Sequence, residues 1–135
     1  MELKLAVICE TARERSDGRI DVIGIFDELH AAAFPAVQER MTIVFVMEWT
    51  EDEYGEQPFR ADLVHENGRK ILGLQGYTTV RQMGSGRPKT RLIQQLDKVV
   101  FPAAGEYHFE LVAGGDIIET ARVRLVENPD TTPAG

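Results

Sequence analysis

A single cysteine, Cys9, stands in the 135 residues. No internal disulfide can form, which suits a reducing cytoplasm, and no pair of thiols exists to hold a metal ion. Histidine is scarce as well: His30, His65 and His108 lie far apart, and none belongs to a metal spacing such as HExxH. Basic residues are outnumbered, 15 against 22 acidic ones, for a net charge of −7 and a pI near 5.0. A surface of that sign repels phosphate backbones and anionic lipid, so neither nucleic acid nor a membrane is expected as a partner. No apolar run approaches the ~20 residues of a membrane-spanning helix. The opening MELKLAVICE carries an acidic second residue and a short apolar stretch. It lacks the basic start and longer apolar core of a secretory signal.

What the chain does have is the two-residue period of strands. Leu3, Leu5, Val7 and Cys9 alternate with Lys4, Ala6 and Ile8, which predicts a first strand over Leu3–Cys9 with the odd-numbered residues inward. Ser16-Asp17-Gly18 is a turn signal, and Arg19–Leu29, rich in β-branched residues, reads as one strand. His30–Gln38 is a connector in which Pro35 prevents a long helix. Glu39–Trp49 puts Met41, Ile43, Phe45, Met47 and Trp49 on one face, and Pro58–Glu66 does the same with Phe59, Ala61 and Leu63. Between them Thr50–Gln57 is strongly acidic. Asn67-Gly68 is a hairpin signal, and Gly73 and Gly76 weaken the following strand, Arg69–Thr79. Val80–Pro88 is a loop. Lys89–Val100 fits helical spacing as well as a strand, and the strands on both sides favour strand.

Phe101–Val126 organises the rest. Pro102 and Gly105 make a corner, after which Tyr107, Phe109 and Leu111 alternate with Glu106, His108 and Glu110. Gly114-Gly115-Asp116 then turns the chain into a last strand. A tyrosine just past such a corner is expected to bury its ring and bond its hydroxyl to the corner's backbone. Residues 1–126 therefore predict one domain, a single antiparallel β-sandwich of about eight strands, immunoglobulin-like or C2-like. The polar ENPDTTPAG of residues 127–135 is expected to be a disordered tail. If consecutive strands run antiparallel, one end of the sandwich collects Thr11–Gly18, Thr50–Gln57, Val80–Pro88 and the Gly114-Gly115 turn. That end sets Glu51, Asp52, Glu53 and Glu56 against Arg13, Arg15, Arg81, Arg87 and Lys89.

No catalytic constellation emerges. Cys9 on a strand reads as a small buried hydrophobe, since a nucleophilic thiol needs a nearby cation or helix N-terminus. The run GSGRPKT at Gly84–Thr90 has Pro88 and Met83 where a phosphate loop needs its glycines, and reads as a mobile basic loop. Glu51–Glu56 lacks the Asp-rich oxygen set of a calcium loop. Catalytic, cofactor-binding and metal-ligating residues are accordingly not assigned. The oddity is a second apolar face: Ala6 and Ile8, Ile23 and Ile25, Val44 and Val46 sit where a half-solvated sheet would be polar. Either the chain's own loops cover this face, or the three strands are not neighbours, or another chain covers it.

CETARERSDGRIDVIGIFDEL, FPAVQERMTIVFVMEW, VHENGRKIL and VVFPAAGEYHFELVAGGDII, in that order, resemble a family of small uncharacterised bacterial proteins, a domain of unknown function. The similarity runs from Leu3 to Val126. It implies a bacterial cytoplasmic β-sandwich, and it implies no activity and no catalytic residues. The expectation is a non-enzymatic binding or assembly module, a homo-oligomer or the companion of a protein partner, acting through the apolar sheet face. The alternative is a small-ligand or metal-binding sandwich that uses one loop end.

Overall fold

The computed structural model describes residues 1–82 and 84–131. Among these the chain is all-β, with one 3-10 turn and no α-helix. The strands are β1 (Glu2–Glu14), β2 (Ile20–Ile25), β3 (Glu28–Ala31), β4 (Ala36–Glu48), β5 (Gly55–His65), β6 (Lys70–Val80), β7 (Lys89–Phe101), β8 (Gly105–Ala113) and β9 (Asp116–Glu127). They form two sheets, β2-β1-β4-β7 and β3-β9-β8-β5-β6, a β-sandwich. Every pairing is antiparallel except β3 with β9, which run parallel.

The core lies between the sheets. Met41, Ile43, Phe45, Met47 and Trp49 come from one side, and Ala61, Leu63, Tyr107, Phe109 and Leu111 from the other; all are fully buried. Phe45 meets Phe109 edge to face, with ring centroids 6.3 Å apart. Lys89–Phe101 is a strand, and its Leu96, Val99 and Phe101 join this core.

Two expectations fail for instructive reasons. Arg19–Leu29 is two strands rather than one. At Phe26-Asp27 the chain leaves the first sheet, Phe26 N–H still bonding Ile8 C=O, and Asp27 C=O already accepts from Arg124 N–H across the second sheet. The first strand also presents the opposite face. A bulge between Leu3 and Leu5 inserts one residue and flips the parity of all that follows. Leu3 faces the core, but Ala6 and Ile8 then face it too, while Leu5, Val7 and Cys9 point outward with their partners Val46, Val44 and Thr42.

β1 continues beyond Cys9, and from there to Glu14 it pairs only with β2. This two-stranded arm doubles back over the outside of the first sheet. Glu14 comes within 3.8 Å of Arg91, which pairs with Val46 high on the sheet. Cα atoms of β1 and β7 approach within 8 Å although β4 lies between them. The bend falls at Glu10 and Gly24. Gly24 has φ +70°, and a Cβ there would stand 2.6 Å from the Glu10 side chain, so glycine is required. Thr42 Oγ1 donates to Glu10 C=O at 3.3 Å and anchors the bend to β4.

β9 runs to Glu127; Asn128 N–H bonds Ala31 C=O and Thr131 N–H bonds Asn128 C=O. The remainder of the expected tail, 132–135, lies outside the described residues.

Candidate functional site

The arm decides what the outer surface offers. Val44 points away from the core cluster, yet it and Cys9 are fully buried. Ala12, Ile20 and Val22, half-buried on one side of the arm, form its underside. The six residues of the expected apolar face therefore separate. Ala6 and Ile8 belong to the core side, because the bulge turned them in. Val44 is covered by the chain's own arm, and Val46 is half-buried. Only Ile23 and Ile25 are exposed, at 59% and 64%. They share one face of β2, beside Thr11 and Cys9 in register.

Cys9 sits at the root of the arm, its thiol 3.5 Å from Thr11 C=O and 3.6 Å from Thr42 C=O. Burial, helped by the neighbouring Glu10 carboxylate, raises its pKa. A thiol held protonated and out of solvent is a poor nucleophile.

The Pro102–Gly105 corner joins the sheets at the end away from the tip of the arm. Tyr107 is fully buried; its hydroxyl donates to Ala103 C=O at 2.6 Å and accepts from Ala103 N–H at 3.3 Å. Its ring packs edge-on against Phe101 and against His65, with centroids 5.0 and 4.6 Å away. Burial raises the phenol's pKa. Gly105 has φ +121°, and a Cβ would press on Glu66 and on His65 Nε2. His65 accepts from Asn67 N–H at Nδ1 and meets Ala104 C=O with Nε2, so both ring nitrogens are occupied. His65 and His108 lie on adjacent strands but on opposite faces, since His65 registers with Tyr107 and His108 with Val64. His108 Nε2 lies 3.5 Å from Glu119 and 3.9 Å from Glu110 on the outer face. Among the described residues no group of three or more His, Cys, Asp or Glu has the arrangement to hold a metal.

The acidic segment carries a 3-10 turn, Glu51–Glu53. Glu53 turns inward: its carboxylate accepts from Thr50 N–H at 2.9 Å, from the Thr50 hydroxyl at 3.1 Å, and from the amino-terminal nitrogen of Met1 at 3.1 Å. Burial alone pushes its pKa up; the bonds from Thr50 and the amino terminus outweigh that and leave it lowered. Glu51, Asp52 and Glu56 are exposed and do not converge on it.

The tip of the arm makes a concavity that gathers several basic side chains. Glu14–Gly18 overhang Thr78, Thr79 and Arg81 at the end of β6 and Lys89–Arg91 at the start of β7, enclosing a cleft of about 600 Å³. Arg15, Arg81 and Lys89, expected at one loop end, do meet there, for a reason alternation did not contain. β1 starts at that end and runs away from it, and the tip returns only because the arm folds back. Arg13 instead holds Asp21 at 3.2 Å, and Arg87 lies 3.9 Å from Glu48. Sequence reasoning missed Arg91, Thr78 and Thr79 because they sit inside strands. At the other end a second concavity of about 360 Å³ lies among Leu29, Ala31, Ala36, Phe101 and Leu125.

Among the described residues no helix is long and apolar enough to cross a membrane. Residues 4–126 match the model of a family of unknown function, DUF6941. No curated protein matches the chain.

Proposed function

The chain belongs to that family of unknown function, DUF6941, and on the strength of its surface we propose that it is a non-enzymatic binding or assembly module. The observation that supports this reading is the pair Ile23 and Ile25, more than half exposed, close together on an edge strand. Covering two isoleucines stabilises a contact by about 1.5–3 kcal/mol each, and β2 has a free hydrogen-bonding edge next to them. The occupant is a second copy or a protein partner. A cytoplasmic setting goes with it, since the lone thiol is buried and unpaired. The architecture fits an immunoglobulin-like sandwich better than a C2-like one: the Tyr107 bond back to Ala103 has the form of a tyrosine corner, and Glu53 is spent on its own turn rather than free for calcium.

Ile23→Glu and Ile25→Glu test the reading. Both side chains are exposed, so each variant is expected to fold. Light scattering and partner pull-down should show a lost dimer or a lost partner. A parent that stays monomeric and captures nothing, with variants identical to it, would falsify the assembly reading.

A second reading, a small-ligand site at the loop end, is favoured by the basic cleft under the arm tip. Thermal stabilisation by a small-molecule panel tests it, because ligands that bind the native state raise its melting temperature.

A further inference from the structure

We propose that the cleft under the arm tip binds a small phosphate monoester; the proposal rests on the loop-end ligand reading and names its ligand class. Four cations, Arg15, Arg81, Lys89 and Arg91, face two carboxylates, Glu14 and Asp17, in the lining. This local surplus of positive charge occurs in a chain of net charge −7. Arg15 lies 3.4 Å from Asp17 and Arg91 lies 3.8 Å from Glu14. Glu14 thus reaches across to β7, while Asp17 stays with Arg15 on the tip itself. Arg81 and Lys89 have no ion-pair partner among the described residues, so their charge is what the cleft presents.

The remaining lining is rich in hydroxyls: Ser16, Thr78, Thr79 and Thr90. Thr90 is 8% exposed, and its oxygen already accepts from Trp49 Nε1 at 2.9 Å. The Thr90 O–H therefore remains available to donate. Uncommitted cations and O–H donors together match the acceptor oxygens and double charge of a phosphate group. A volume of about 600 Å³ exceeds the needs of the free ion and falls in the range of small-molecule sites. The ligand is thus a phosphoryl group carried on a small organic body. The glycine-rich loop over Gly84–Gly86 is not part of the lining. Recognition runs through strand ends and the arm, not through a phosphate loop.

The test is an amide NMR titration of the full chain with inorganic phosphate and, separately, adenosine 5′-monophosphate, at fixed ionic strength in chloride. Saturable shifts are expected at Thr78, Thr79 and Lys89–Arg91, with the monoester binding more tightly than the free ion. Arg81→Ala with Lys89→Ala should weaken binding at least ~10-fold, the loss of charge-assisted bonds worth about 1.4 kcal/mol or more. Arg13→Ala, outside the cleft, should leave it unchanged. Equal binding of both probes makes the ligand the free ion and overturns the monoester. If a dicarboxylate shifts these amides and neither phosphate does, the phosphate proposal falls and the loop-end reading stands. If no probe shifts them saturably, both fall.

Discussion

The corner at Pro102–Gly105 and the fold-back at Glu10–Gly24 both redirect the chain sharply, but different forces hold them. At the corner the instructions are local. Pro102, Gly105 and Tyr107 lie within six residues, and the Tyr107 hydroxyl ties down Ala103 four positions upstream. The fold-back depends on residues distant in sequence. Thr42 anchors Glu10, Arg91 receives Glu14, and Val44 supplies the surface on which the arm rests. A bend closed by neighbours in sequence gives up little loop entropy. A bend closed across 32 to 77 residues forms only once the sheet beneath it exists.

The comparison can be broken at four points. Tyr107→Ala should have the largest effect, about 3–5 kcal/mol of unfolding free energy in urea, because a fully buried aromatic ring leaves a cavity between Phe101 and His65. Gly24→Val comes next. A β-branched residue at φ +70° costs on the order of 1–2 kcal/mol, and the strain falls on the arm alone. The sharper readout there is Cys9, which should pass from unreactive to readily labelled by a thiol reagent in the native state, while Tyr107 fluorescence and the core remain as in the parent. Unchanged Cys9 protection in that variant shows that the arm does not need its bend. Tyr107→Phe keeps the ring and removes the bonds to Ala103, for about 1 kcal/mol. Glu14→Gln should be smallest, under about 0.5 kcal/mol, since its contact to Arg91 is long and half-exposed. A larger loss would mean that the ion pair, rather than apolar cover over Val44, holds the arm down.

Much of the inner architecture was legible before the fold was seen. Five alternating residues from Met41 to Trp49 can only face one way in a strand, and all five are fully buried. Lys89–Val100 was ambiguous because Leu92, Leu96 and Val99 fall at helical spacing while the strands on both sides favour strand; pairing along β4 resolves it as strand. The candidate surface was less legible. Ala6, Ile8, Val44, Val46, Ile23 and Ile25 look equivalent in the sequence, yet the structure puts them in a core, under an arm, at its margin and in solvent. Arg91 shows the same gap from the other direction: nothing in KTRLIQQL marks one arginine as a cleft residue.

By itself the sequence determined the strand class, the core face of β4 and β5, the turns at Asn67-Gly68 and Gly114-Gly115, and the chemistry of the corner. These depend on period, on β-branching and on contacts a few residues apart, all of which a linear chain displays. Tertiary structure decided the rest: the parity of β1, set by a one-residue bulge; the splitting of Arg19–Leu29 between two sheets; and the return of the arm across β4 and β7. The cleft and the exposed isoleucines follow from that last step. A bulge leaves no mark in composition, and an arm has no resting place until two sheets have paired. Which residues reach solvent is therefore a property of the assembled sandwich.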